Sequence, residues 1–478
     1  MTAGVRTSLV FVVGLGLGAA AGIGAVTARN RAARRPVATA AVFDHVIRAI
    51  RSDFVDSLSD DELYVKAAKG VVNTLGDPYS AFLGPEEFRG YTNMLRGRGE
   101  TVGLTVESGL TGLHVANVVA GTPADRAGIR PGDFVLEIGG RPARRWDAGR
   151  AAASLRPDAE GNVTVRFQSP GDSVPTEVTL AATAGRLPAV GSVVRLSDSV
   201  GYFALRTVSD EAGNEVREAL SSLRAWELSG LIIDLRGNRG GRLDEGLRIA
   251  DIFLPGGKQI GTVSKRRLRW GYASAHPEAY PRLRLTLLVD RNTASSAEII
   301  AAALRDNGRA WLVGERTFGK GLIQTTIPLG DSIAVRLTTG RWQGPGGELL
   351  VGGLRPDSAI QPAAWTAAVL RSLEARMPVV SASLLAFARA RVGQGTAADS
   401  ARLTRDELER LRAGLRTAGL SLSRRTMVRH RAYFDTELAR LVAAIGTPAE
   451  AVRFGLLADP AVATALGLLP RDLPPAGR

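Results

Sequence analysis

The 478-residue chain contains no cysteine, which excludes disulfides, thiol nucleophiles and cysteine-ligated metals. Its four histidines, His45, His114, His276 and His430, are far apart in sequence and outside any HExxH pattern, which argues against zinc-hydrolase chemistry. No residue pattern calls for a cofactor. Aromatics make up only 5% of the chain, and the basic residues behind its net charge of +14 are spread along its whole length. That distribution fits general arginine richness and no nucleic-acid partner. Lysine is the most informative scarcity. Of 61 basic residues only Lys66, Lys69, Lys258, Lys265 and Lys320 are lysines. Where charge alone suffices the chain uses arginine, so a lysine is informative, because lysine can lose its proton and arginine cannot.

Residues 1–28 carry Arg6, an apolar stretch from Leu9 to Ala21, and small residues at Val26 and Ala28, the order of a secretory signal. The competing reading is an uncleaved inner-membrane anchor, since Arg29, Arg31, Arg34 and Arg35 follow at once and would resist export. Either way the remainder is expected in the periplasm or cell envelope. Residues 29–97 form an N-terminal helical region, with Val42, Phe43, Val46 and Ile47 at helical spacing. Residues 98–184 read as short strands punctuated by turns, and residues 185–365 alternate buried apolar runs with amphipathic helices. That alternation is the mark of a layered α/β core. Residues 366–478 are Ala/Arg/Leu-rich and helical, with a capping-box pattern at Thr404–Glu407 and a packing or assembly use.

Two loops of the core carry the chemistry. "NTASSAEII" (292–300) sets two serines at the start of a helix, where they could act as N-caps or as nucleophiles. "GERTFGKG" (314–321) nearly spells a phosphate-binding loop, but Gly321 stands where that loop needs Ser or Thr, and "LIQTTIPL" has strand character. A phosphate loop must run into a helix. Lys320 is left for another task. Lysine ordinarily titrates near ~10.4, and burial that brings it to about 7 would let it take a proton from a serine hydroxyl. With no histidine in either loop, a Ser-Lys pair fits better than Ser-His-Asp, and the nucleophile is Ser295 or Ser296 at a helix mouth suited to a developing oxyanion.

The segment "TASSAEIIAAALRDNGRAWLVGERTFGKGLIQT", together with "LIIDLRGNRGG", "VGGLRPD", "DPYSAFL" and the PDZ-like "GTPADRAGIRPGDFVLEIGG", resembles the carboxyl-terminal processing peptidases, the tail-specific serine proteases. The resemblance covers about residues 40–365. It implies a layered, ClpP/crotonase-like α/β protease core with an inserted PDZ-like β-rich domain. By position it implies Ser295 as nucleophile, 25 residues before Lys320 as general base, with Gln324 orienting the lysine. The oxyanion hole would use the backbone N–H groups of Ser296 and Gly241. Asp306 matches an aspartate proposed to assist, for which a structural role at the helix end is the preferred reading.

The family's usual Ala-Ser-Ala-Ser-Glu is locally altered, because Ser296 and Ala297 have exchanged places. Since Ser296 would serve through its backbone, activity is expected to survive. The PDZ-like domain would bind protein C-termini near Gly103, Leu104 and Thr105, and Arg156 is a candidate link between peptide binding and core. The expected protein is thus an exported serine endopeptidase acting on protein substrates, with homo-oligomer formation left open. Its rivals are a non-catalytic PDZ scaffold that captures C-termini and a coenzyme A thioester enzyme.

Overall fold

A computed structural model describes residues 39–360 and 377–470, apart from 110–111, 144–145, 147, 159, 170–171, 173, 225–226 and 447. The expected N-terminal signal or anchor lies outside the described residues. The chain divides into a unit ending at Phe82 and a second from Leu83 onward.

In the first unit, helix α1 spans Thr39–Asp53 and α2 spans Asp60–Asn73. A capping box starts α2: Ser59 Oγ accepts the Glu62 N–H, and the Glu62 carboxylate accepts the Ser59 N–H. On α1, Ile47 is buried, whereas Val42, Phe43 and Val46 are exposed. The periodic apolar positions therefore do not all enter a core. No helix among the described residues is long and apolar enough to cross a membrane.

The second unit begins with α3 (Pro85–Leu95), read above with the N-terminal helices. Strand β1 (Arg98–Thr101) pairs antiparallel with β7 (Thr183–Arg186), from Arg98↔Arg186 to Thr101↔Thr183. This two-stranded stalk brackets an antiparallel sheet of order β2 (Leu104–Gly109), β3 (Gly112–Val118), β4 (Phe134–Ile138), β5 (Asn162–Gln168), β6 (Thr176–Ala181). Two short helices, α4 (Pro123–Arg126) and α5 (Ala148–Ser154), complete the module. Its core includes Val102, Leu113, Val115, Val135, Ile138, Val165 and Phe167; Leu113 with Val115 and Val165 with Phe167 show the strand period of two, which a register shift breaks between Val135 and Ile138.

The central sheet has the order β8 (Val190–Arg195), β9 (Val200–Leu205), β10 (Gly230–Asp234), β13 (Arg284–Val289), β14 (Ala310–Gly314), β17 (Ser358–Ala359). Only the β8–β9 pair is antiparallel. Every residue of β9 and β10 is buried, because both faces of a parallel sheet are covered. On one face lie α6 (Ala212–Arg224), α7 (Leu243–Phe253) and α8 (Ser296–Asp306), packed through Val216, Leu220, Ile249, Phe253 and Ile300 onto Phe203, Leu231, Leu285 and Leu312. A second sheet places β16 (Ala334–Gln343) between β15 (Leu322–Pro328) and β11 (Gln259–Lys265), with β12 (Leu268–Ala273) beyond β11.

The C-terminal helices α9 (Met377–Gly393), α10 (Arg405–Thr417), α11 (Arg424–Arg429), α12 (Arg431–Gly446), α13 (Pro448–Ala458) and α14 (Pro460–Leu468) have a specific task. Val452, Leu456, Val462, Ala465 and Leu469 cover the other face of the central sheet, against Tyr202, Ile232, Leu288 and Val313. Each leucine or valine fully buried there is worth roughly 1.5–3 kcal/mol, so the core needs these helices. Helix α12 also meets the β2–β6 module, where the Arg440 guanidinium lies 4.9 Å from the Phe134 ring centroid. That arginine is itself paired with Glu437 in the interior.

Candidate active site

Three loops leave the carboxyl ends of adjacent parallel strands: 235–242 after β10, 290–295 after β13 and 315–321 after β14. The register Asp234↔Leu288 and Val289↔Gly314 brings them to one edge of the sheet, where layered α/β folds place their ligands.

The 290–295 loop is folded by its own polar groups. Asp290 accepts the N–H groups of Asn292 and Thr293 at 3.0 and 2.9 Å, and buried Thr293 donates its hydroxyl to Leu235 O at 2.9 Å. This turn delivers Ser295 at φ 58°, ψ −124°, a backbone region that costs a side-chain-bearing residue about 1–3 kcal/mol. A sharp strand-to-helix turn of this kind lifts a side chain off the helix mouth and leaves the next N–H groups directed at whatever sits before it. Ser295 is half-buried. Ser296 is buried, and among the described residues its hydroxyl has no hydrogen-bond partner.

The 235–242 loop packs against that turn through bare glycine. A Cβ on Gly240 would lie 2.7 Å from Ala294 O and 2.9 Å from Ser296 N. The loop is anchored below by Asp234, which accepts the Tyr202 hydroxyl at 2.8 Å and the Arg236 guanidinium at 2.9 and 3.0 Å. Burial opposes ionisation of Asp234, but the adjoining Arg236 charge and its hydrogen bonds prevail and hold the carboxyl at about 2. Arg236 in turn reaches Asp459, the N-cap of α14, at 2.6 Å, tying the C-terminal helices to the base of this loop. Higher up, Gly240 N–H donates to Asn238 Oδ1 at 2.8 Å. Among the described residues, the N–H groups of Gly241 and Ser296 have no acceptor, so both are available to an oxyanion.

Glu298, one turn into α8 and fully buried, joins the serine turn to the 315–321 loop. Its Oε2 accepts Ser295 N–H at 2.9 Å and Lys320 N–H at 2.8 Å, and its Oε1 accepts Gly319 N–H at 2.7 Å and the Thr317 hydroxyl at 2.5 Å. Burial raises the Glu298 carboxyl above its ordinary value, against the pull of these four donors. Phe318 N–H adds a bond to Thr293 O at 3.0 Å, and Thr317 Oγ1 accepts Leu354 N–H at 2.7 Å. The "VGGLRPD" segment thereby braces the lysine loop from behind. The backbones of residues 295 and 320 are thus held by one oxygen of one carboxylate. Sequence reading passed over Glu298, although Ser-x-x-Glu at a helix start is a capping-box pattern and could have marked it.

Lys320 is half-buried, and the loop runs on into a strand, β15 from Leu322, and not into a helix as a phosphate-binding loop does. Gln324 lies on β15 with its amide nitrogen donating to Leu322 O at 3.2 Å and toward Thr338 Oγ1 at 3.5 Å. Asp306 sits at the far end of α8, roughly 15 Å along the helix from Ser295 at 1.5 Å per residue, paired with Arg305. That is a structural place. A separate grouping of Ser274, Asp251 and His276 is not a triad. Ser274 Oγ donates to Asp251 Oδ1 at 2.7 Å while His276 Nδ1 bonds Asp251 Oδ2, so the serine addresses the acid, whereas a nucleophile would face the imidazole.

In the β2–β6 module, β2 is an edge strand with α5 beside it, the arrangement in which a peptide adds as a further strand. Gly103 has φ +85°, and a Cβ there would fall 2.0 Å from Thr122 Oγ1. Leu104 is buried and Thr105 exposed. Arg156 is exposed in the turn after α5.

Residues 199–360 match the family model for peptidase family S41, and residues 114–169 match that for a PDZ domain. A carboxyl-terminal-processing protease of Synechocystis sp. is 34% identical over 309 residues, spanning 63% of this chain and 71% of that protein. The carboxy-terminal processing protease CtpA of Bacillus subtilis is 29% identical over 320 residues, spanning 66% and 68%. Among solved structures, a photosystem II D1 C-terminal processing protease aligns at 25% identity with a TM-score of 0.43, covering 69% of this chain and 90% of that one. With a PDZ module inserted ahead of a serine-protease core that matches such relatives over most of their length, the chain belongs to the carboxyl-terminal-processing proteases of peptidase family S41.

Proposed function

We propose that this protease cuts peptide bonds with a Ser295–Lys320 dyad. The observation that carries the reading is the strained Ser295 turn, tied through the single Glu298 carboxylate to the backbone of Lys320. Ser295 Oγ attacks a peptide carbonyl while Lys320, neutral at that moment, takes its proton. The N–H groups of Ser296 and Gly241 receive the oxyanion, a contribution worth about 10²–10³ in rate for one donor. Lys320 returns the proton to the leaving amine, and an acyl ester remains on Ser295. Water, deprotonated by Lys320, then hydrolyses the ester. Gln324, with its amide nitrogen engaged elsewhere, offers its amide oxygen to orient the lysine.

The substrate's C-terminus enters as an added strand beside β2, its carboxylate at the Gly103–Thr105 turn, and the acyl chemistry follows on a more internal bond. On the N-terminal sequence, the protein works beyond the cytoplasmic membrane, released or held there by residues 1–28. The test is cleavage of an unstructured protein with an apolar C-terminus by the parent chain and by Ser295→Ala, Lys320→Ala and Gln324→Ala. The first two variants lose activity, and amidation of the substrate C-terminus raises KM. Cleavage by Lys320→Ala at the parent rate sinks the dyad.

A further inference from the structure

The Gly240–Gly241 peptide has two glycines in succession, with φ +84° and +158°, so side-chain sterics do little to prevent its plane from rotating. Its orientation has to come from its bonds. Gly240 O accepts Val208 N–H at 3.2 Å and the Thr207 hydroxyl at 3.3 Å. The peptide before it, Arg239–Gly240, is fixed in turn, because its Gly240 N–H is taken by Asn238 Oδ1 at 2.8 Å. Asn238 is itself fully buried, with Nδ2 on Leu205 O at 2.8 Å and its own carbonyl on Ala294 N–H at 2.9 Å. In a trans peptide the N–H points opposite to the preceding C=O. Holding Gly240 O toward Thr207 and Val208 therefore turns Gly241 N–H the other way, on a loop whose Gly240 abuts Ser295 Cβ and Ser296 N.

We propose that Thr207 and Asn238 are positioning residues for the oxyanion hole, fixing the Gly240–Gly241 peptide with its N–H toward the acyl oxygen on Ser295. This rests on the reading of Ser295 as nucleophile and Gly241 as oxyanion donor. Neither side chain touches the substrate. Rotation of the peptide forfeits the bonds to Val208 and Thr207 together and withdraws the donor.

The test uses the full chain with Thr207→Val, which removes the hydroxyl at nearly constant shape, Thr207→Ser, Asn238→Ala and the Thr207→Val/Asn238→Ala pair. Readouts are kcat and KM on the unstructured substrate, inhibition by a peptide aldehyde whose adduct carries an oxyanion, and thermal unfolding. Thr207→Val lowers kcat about tenfold, the weight of one hydrogen bond, leaves KM and the unfolding midpoint near the parent's, and weakens aldehyde inhibition in proportion. Thr207→Ser recovers most of the kcat. The double variant loses less than the product of the single losses, because both act on the orientation of the one Gly241 N–H, Thr207 directly and Asn238 through the peptide before it. Full kcat in Thr207→Val overturns the proposal, as does a loss that Thr207→Ser does not recover. Ser295→Ala runs alongside: if it still cuts, the nucleophile reading fails. If it is inert while Thr207→Val is fully active, only the positioning proposal fails.

Discussion

Replacing Glu298 by glutamine separates a structural anchor from a part that sets catalytic geometry. The carboxylate accepts four donors, two on each oxygen, and glutamine supplies only one oxygen. If its NH₂ faces Ser295 and Lys320, two donor–donor clashes result. If it faces Thr317 and Gly319, the threonine hydroxyl turns to accept, but Gly319 N–H is left opposed. One or two charge-assisted bonds are lost, at about 1.5–3 kcal/mol each. The gain is relief of a buried charge, whose raised pKa shows that burial outweighs the donors. The net cost in global stability is therefore about 1–3 kcal/mol, less than bond counting gives. The catalytic cost is larger, because a shift of roughly 1 Å between Ser295 and Lys320 costs about 10²-fold in rate. Steady-state cleavage together with urea unfolding of Glu298→Gln measures both, and kcat falls about 100-fold with KM little changed. A variant within threefold of the parent kcat refutes the clamp.

Other substitutions probe neighbouring parts. Gly240→Ala places a methyl within 2.9 Å of Ser295 Cβ and Ser296 N and abolishes cleavage. Crystallography of that variant shows the 290–295 turn displaced. Because folding lowers the Asp234 carboxyl from 3.8 to about 2, its ionised form stabilises the fold above about pH 4, by about 2 kcal/mol, and this is lost as pH falls toward 2. Urea midpoints measured across that range are shallower in Asp234→Asn. Gly103→Ala, at φ +85° with its methyl driven into Thr122, raises KM for a substrate with a free apolar C-terminus more than it lowers kcat, as steady-state kinetics on free and amidated substrates shows.

The proposed Ser295–Lys320 pair could be singled out in the sequence because its signals are local and compositional: a rare lysine 25 residues from a serine at a helix start, and a glycine pair after an apolar strand. The layered core was legible for the same reason, since fully buried parallel strands are continuous apolar runs. What stayed hidden depends on groups that meet only after folding. Asn238 and Thr207 are ordinary polar residues in sequence, and the capping-box spacing of Glu298 says nothing of its bonds to the 315–321 loop. The C-terminal helices showed no chemistry, and their burial of the sheet's second face and the Asp459–Arg236 contact need the tertiary structure to be seen. The helical spacing of α1 does not reveal that Val42, Phe43 and Val46 stay exposed, because periodicity shows which residues share a face and is silent on what covers it.

The central claim is that Ser295, and not its neighbour Ser296, forms the acyl-enzyme. Intact-mass and peptide-mapping spectrometry of the full chain after reaction with a fluorophosphonate tests it directly. The account predicts one adduct, on Ser295, absent from Ser295→Ala, present in Ser296→Ala, and formed far more slowly in Lys320→Ala. An adduct on Ser296, or unchanged labelling of Ser295→Ala, contradicts it.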